Sequence, residues 1–161
     1  MVGQFFLNEL PGKDSNHPSA ATQHLISLGH ERIGYIGGDV MYSSNHDRWQ
    51  GYLEALCQAR LEPDDLLVKL GTNRGTWGTM ATNDLLRMPS APTAIFVASN
   101  AIMPGVMRTL RQAGIAVPDE MSLICFDDVD WFSFSVPPIT AVSTAYTALA
   151  EAAVDLMMTR V

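Results

Sequence analysis

Apolar residues along this chain come in short dense runs, separated by longer stretches in which they recur every three or four positions. A short run bounded by turn residues suits a strand buried on both faces, and the longer spacing suits an amphipathic helix. Residues 32–36, 66–70, 94–98, 121–126 and 140–143 read as strands. Helices are expected over 45–60, where Trp49, Tyr52, Leu53, Leu56 and Cys57 share a face, and over 76–87, 101–113 and about 146–158. An earlier helix starts behind Ser19 as N-cap, carries Ala20, Ala21, His24, Leu25 and Leu28 on one side, and stops at Gly29. Residues 129–138 read as an aromatic loop with Trp131, Phe132 and Phe134. In the first 18 residues, Gln4 to Leu7 would suit a strand, while Pro11, Gly12 and the polar run to His17 read as turn and loop.

Strand and helix alternate with connections of a few residues. That order predicts an α/β fold: an open parallel sheet with helices on both faces. Such sheets bind ligands outside the carboxyl ends of their strands, where loop side chains and free helix N–H groups converge. The stretch from Thr93 to Gly105 has that form, an apolar strand turning polar at Ser99 and Asn100 and passing at once into a helical pattern. Asn100 is placed to cap that helix at Ala101. Gly37 and Gly38 after the first strand allow close backbone approach, but no dinucleotide fingerprint follows.

Length and charge narrow the function. With 161 residues the chain holds one full domain and not two. Ten basic against seventeen acidic residues leave a net charge of −7, and Arg108 and Arg111 are the closest approach to a basic cluster, so this polypeptide is not expected to grip nucleic acid itself. No apolar run approaches a membrane span, and the first residues lack a signal-peptide pattern, which suggests a cytoplasmic protein away from membranes. His17, His24, His30 and His46 have no metal-ligand spacing, and no nucleophile, phosphate-loop or paired-acid motif is present. Neither a metal, a cofactor nor an enzymatic activity is expected. Cys57 and Cys125 read as buried thiols, His30 as a residue satisfying backbone groups at its turn, and the methionines at 103, 107, 157 and 158 as core or dimer contacts.

Five segments then carry a family resemblance. The run LISLGHERIGYIGG from Leu25, RWQGY from Arg48, PTAIFVASN from Pro92, VPDEMSLICFDD from Val117 and PPIT from Pro137 resemble, in order, motifs of LacI/GalR-type bacterial transcription regulators. The resemblance implies a fold similar to periplasmic binding proteins of type I, in which two lobes clamp a small-molecule effector behind a DNA-reading head. Residues 1–30 would be a remnant of the first lobe and residues 31–161 the second, effector-binding and dimerisation lobe. The head and most of the first lobe have no counterpart here. The implied function is the effector-binding and dimerisation portion of a regulator that reaches DNA only through a head outside this chain, the effector being a sugar or similar polar metabolite. A sugar-binding receptor of a transport system is the alternative on the same fold.

The resemblance also implies site residues. Arg48 matches an arginine whose planar fork makes paired hydrogen bonds to effector hydroxyls or carboxylates. Asp127 matches an acceptor for effector hydroxyls, and Asp128 beside it reads as structural. Ser99 and Asn100 stand where the family has an Asn/Ser–Asp pair, with shorter reach and one charge fewer. Trp77 aligns with a tryptophan that packs on a sugar ring, its other reading being helix core. Thr144 occupies a position that contacts effector from the last crossover. A homodimer is implied, and the stripe Ile102, Val106 and Leu110 with Phe132 and Phe134 offers itself as the apolar patch.

Overall fold

A computed structural model describes residues 18–142 and 154–158. Five strands, β1 (Ile33–Gly37), β2 (Val68–Leu70), β3 (Ala94–Val97), β4 (Ser122–Phe126) and β5 (Thr140–Val142), form one sheet in the order β2-β1-β3-β4-β5. Every pairing is parallel, with Tyr35 beside Val68 and Phe96, and Val97 beside Cys125. The helices are α1 (Ala20–Ser27), α2 (Ser43–Gln58), α3 (Gly75–Leu86), α4 (Met103–Gln112) and the short α5 (Trp131–Phe134). Residues 154–158 are helical, within the last helix expected.

Side chains alternate across the sheet and divide the core in two. Ile33, Tyr35, Ala94, Phe96, Ile124 and Phe126 meet α1 and α2 through Ala21, Leu25, Tyr52 and Leu56. Ile36, Ile95, Val97, Leu123 and Cys125 meet α3 and α4 through Ala81, Leu85, Ile102, Val106 and Leu110. The expected open parallel sheet with helices on both faces is therefore observed. α1, which precedes residue 31, shares the α2-side core rather than standing apart.

Two close crossings need glycine. A Cβ on Gly51 of α2 would lie 2.6 Å from the Pro18 carbonyl carbon and the Ser19 nitrogen, so α1 can only start there against a bare backbone. On the other face, a Cβ on Gly105 would strike the Gly75 carbonyl and lie 2.7 Å from the Thr79 nitrogen. α3 and α4 thus touch backbone to backbone at the amino end of α4.

Several expectations shift. The second strand shortens to β2 because Asp64 accepts from the Leu66 N–H at 3.0 Å and winds residues 65–67 into a 3₁₀ turn. The aromatic loop contains α5, closed by Ser133 and Ser135 hydroxyls donating to the Asp130 and Phe132 carbonyls. Cys57 is exposed, one position round the helix from buried Leu56, while Cys125 is buried as expected. His30 does not serve backbone groups: its ring nitrogens meet the Thr93 and Ser122 hydroxyls, each at 2.9 Å, clipping the amino ends of β3 and β4. The stripe Ile102, Val106, Leu110 and Phe132 is core, each no more than 1% exposed, so it cannot form a dimer patch; Phe134 alone of that set is exposed. Arg108 and Arg111 are exposed on α4.

Candidate functional site

The sheet order changes direction between β1 and β3. From β1 the chain runs outward to β2 by way of α2; from β3 it runs the other way to β4 by way of α4 on the opposite face. Helices diverging from adjacent strands leave an opening above their carboxyl ends, the usual ligand position in open α/β sheets. The loops there are residues 38–42, 71–74, 98–102 and 127–130.

Arg48 spans this opening. It lies in the second turn of α2, and its Nη1 donates to the carbonyl of Ala98 just past β3 at 2.6 Å. Its Nη2 reaches the Asp127 carboxylate just past β4, 3.0 Å from Oδ2 and 3.2 Å from Oδ1. The guanidinium carbon stands 4.2 Å above the centre of the Phe126 ring. Aromatic face, carbonyl and carboxylate all favour a cation, which offsets the cost of burying one. Both side chains are largely sheltered, at 16% and 12% exposure.

Asp127 is held in the left-handed region at φ +71, a conformation that aspartate tolerates better than bulkier residues, and its N–H donates to the Val142 carbonyl at 3.1 Å. That twist ends β4 and turns the carboxylate toward Arg48. Ser99 is buried at 8% exposure, and its hydroxyl accepts from the Ala101 N–H at 3.4 Å. The cap expected of Asn100 is not formed, since no side chain caps the helix that follows, and the Ser99 contact lies in the turn before it. α4 itself begins two residues later than expected, at Met103 with Pro104 in its first turn, after a turn in which Ile102 N–H donates to Ser99 O. Asn100 is half-buried beside it.

Trp77 stands on the β1–β2 side of this opening, apart from the Arg48–Asp127 pair. Its indole N–H donates to the Gly37 carbonyl at 3.1 Å, and its half-buried ring packs against Gly71. It ties α3 to the carboxyl ends of β1 and β2. Thr144 lies outside the described residues. Of the six candidates, the fold thus brings Arg48, Asp127 and Ser99 together, with Asn100 next to them.

Sequence reasoning missed three features. Asn45 is 2% exposed and donates to the Asp39 carbonyl at 2.9 Å while accepting from Asn73 at 3.4 Å; Gly38 leaves room for this pair, since a Cβ there would lie 2.6 Å from the Asn45 amide nitrogen. Gly37-Gly38 was the available signal. Phe126 as the seat of Arg48 was legible only as the last apolar residue of its strand. Tyr35, fully buried between Tyr52 and Phe96, ends in a hydroxyl with no partner among the described residues. A Cβ on Gly37 would lie 2.8 Å from that oxygen, so the ring reaches up to the floor of the opening. Burial pushes the Tyr35 phenol well above its ordinary range; the Arg48 charge pulls the other way and Tyr52 adds to the rise. Among the described residues, no cluster of three or more His, Cys, Asp or Glu could hold a metal ion, and no helix is long and apolar enough to cross a membrane.

Residues 22–161 match the family model of the periplasmic binding protein-like domain. The chain belongs to that family. It is similar to the HTH-type transcriptional repressor PurR of Actinobacillus pleuropneumoniae, 33% identical over 141 residues that make up 88% of this chain and 42% of that protein. A LacI family transcriptional regulator from Mycobacterium smegmatis superposes with a TM-score of 0.82 at 31% identity, covering 92% of this chain and 55% of that one. The lac repressor dimer bound to operator and the anti-inducer ONPF gives 0.81 at 25% identity, over 91% and 50%. A sugar-binding LacI family regulator from Escherichia coli, solved in complex with phosphate, gives 0.80 at 26%, over 85% and 49%. The chain spans less than half the length of the curated relatives it matches. The expected likeness to the effector-binding portion of LacI/GalR-type regulators is borne out.

Proposed function

We propose that this periplasmic binding protein-like domain is the effector-binding and dimerisation portion of a LacI-type transcriptional regulator, with a sugar or similar polar metabolite as effector. The observation that carries the reading is Arg48, which crosses the β1/β3 switch point to meet both Ala98 and Asp127. The Asp127 carboxylate, the remaining N–H groups of Arg48 and the Ser99 hydroxyl offer mixed donors and acceptors, the chemistry that recognises hydroxyls. Asn100, the exposed part of Trp77 and Thr144 complete the proposed contact set. Residues 31–161 are read as the second lobe, into whose core α1 packs, and the residues before α1 as part of the first. The names of the relatives favour a repressor over a transport receptor and over an enzyme, and with it residence in the cytoplasm. DNA would be reached through a head outside this chain, and effector-driven lobe closure would shift the balance between DNA-competent and incompetent dimers.

The dimer patch moves from the α4 stripe to the α5 corner. Phe134 and Val136 are 81% and 95% exposed, beside a groove lined by Met107, Leu110, Ile115 and Val117. Sedimentation of the chain should show a dimer that Phe134→Asp turns into a monomer; a wild-type monomer at high concentration would refute this contact.

The binding reading is tested by thermal denaturation of the chain against a panel of free hexoses, pentoses and nucleosides. A ligand at roughly 100 times its Kd should add about 2.7 kcal/mol of stability. That gain should vanish when Arg48→Met and Asp127→Asn are combined. A gain that survives the double substitution would place the effector elsewhere.

A further inference from the structure

Beside the Arg48–Asp127 pair the opening holds a buried carboxamide, Asn45, in the first turn of α2. We propose that Asn45 is a positioning residue: without touching an effector, it ties the loop after β1 to the loop after β2 and fixes the mouth of the crevice. The inference rests on the reading of this crevice as the effector site.

The start of α2 lacks the usual means of fixing a helix entry. Its N-cap is Tyr42, and no side chain caps the first turn, where serine, asparagine or aspartate commonly stands. The loop before it closes on itself instead. Met41 N–H donates to the Asp39 carboxylate at 2.9 Å, Tyr42 N–H to the Asp39 carbonyl at 3.2 Å, and the Asn45 and His46 N–H groups to the Tyr42 carbonyl at 3.0 Å each. The Asn45 side chain then joins this closed loop to the helix, its Nδ2 donating to the Asp39 carbonyl at 2.9 Å. Residues 41–44, 46 and 47 are exposed, whereas Asn45 is not. Turned over, its amide would set Oδ1 against the Asp39 carbonyl, acceptor against acceptor in a buried place, so the orientation is fixed.

The other half of the same amide serves the second loop. Asn45 Oδ1 accepts from Asn73 Nδ2 at 3.4 Å, and among the described residues this is the hydrogen bond that joins residues 71–74 to α2. The Asn73 side chain lies directly over Gly38, where any Cβ would strike its Oδ1. Beneath them the Gly37 carbonyl accepts from both Gly71 N–H and the Trp77 indole, each at 3.1 Å. The two loops therefore meet through Gly37 and Gly38 below and through Asn45 above.

Loops set in advance need no ordering by the ligand. Each long side chain that must be ordered on binding weakens it by up to about tenfold. The loop that Asn45 holds carries exposed Met41 and Tyr42 at the rim of the opening. Arg48 follows three residues later in the same helix, so a shift in the entry of α2 also moves the guanidinium that spans Ala98 and Asp127.

Two-dimensional ¹H–¹⁵N NMR of the whole chain without ligand tests the tie, read at residues 38–42 and 71–74, the Asn73 side-chain amide and the Arg48 Nε–H. Asn73→Ala, at an exposed position, should broaden residues 71–74 and leave 38–42 as in the wild type. Asn45→Asp keeps an acceptor for Asn73 but cannot donate to Asp39, and should broaden 38–42 alone. Asn45→Ala should broaden both loops and shift the Arg48 Nε–H. Against the panel of free hexoses, pentoses and nucleosides, Asn45→Ala should bind whichever compound stabilises the wild type about tenfold more weakly. Wild-type line widths in both loops of the folded variants would overturn the proposal, and so would wild-type affinity in Asn45→Ala. If Asn45→Ala does not fold, the opposite patterns expected of Asn45→Asp and Asn73→Ala decide. A panel in which no compound stabilises the wild type is a separate failure, that of the crevice assignment, and it removes the positioning role with it.

Discussion

Deleting either member of the Arg48–Asp127 pair leaves the other stranded in a sheltered site. Breaking a buried ion pair by removing one partner costs about 3–5 kcal/mol. With 16% and 12% of the side chains still exposed, Arg48→Met and Asp127→Asn should each fall near the lower end, about 3 kcal/mol. Against a typical domain stability of about 5–15 kcal/mol, both variants remain folded at room temperature. The double variant removes both charges at once and should lose no more than either single one, giving a coupling of at least about 3 kcal/mol, within the range measured for close charge pairs. Urea unfolding followed by circular dichroism at neutral pH reads all three against the wild type. Additive losses, within about 0.5 kcal/mol of the sum, would refute the pairing as an energetic unit. The cycle matters for function because a single alanine at either position confounds lost binding with lost stability, whereas the double variant separates them.

Gly105→Ala should lower stability by about 2 kcal/mol and Tm by roughly 4–8 °C, because its Cβ meets only backbone of α3. Gly75→Ala is the contrast: its Cβ would sit 3.5 Å from the Gly105 nitrogen, an ordinary contact, and little change in Tm is expected. Tyr35→Phe removes a buried hydroxyl with no partner among the described residues and should raise the urea midpoint, by an amount on the order of 1 kcal/mol; a marked loss would show that the hydroxyl is satisfied in solution. Burial holds the His24 and His30 imidazoles below their ordinary value of 6.5, so the unfolded chain binds more protons just below that pH. Their contribution is complete above the ordinary value and is lost on acidification: unfolding midpoints should drop as pH falls below about 6.5, and His30→Gln should flatten that drop.

The sheet was legible because parallel strands buried on both faces leave unbroken apolar runs, as residues 94–98 do. The site was legible through motif order, which singled out Arg48, Asp127 and Ser99, residues that local patterning alone would have left as a helix-surface arginine, a turn aspartate and a strand-end serine. What stayed hidden was tertiary. The stripe on α4 reads the same whether it faces a second copy or the sheet, and only the crossing at Gly105 decides for the sheet. The engagement of Arg48 by Asp127 joins residues 79 positions apart, which no spacing rule expresses. His30 likewise finds its partners at Thr93 and Ser122 on two later strands. Trp77 shows the reverse, a side chain that the resemblance assigned to ligand and the fold uses at least in part to hold the Gly37 carbonyl.

The central claim is that effector binds at the β1/β3 switch point. Its most direct measurement is amide shift mapping of the chain with whichever neutral sugar or nucleoside in the panel raises its thermal stability. The account predicts that the largest shifts cluster at Gly38, Arg48, Ser99 and Asp127. Shifts centred instead on the groove between α4 and Phe134, or at the His30 end of the sheet, would contradict it.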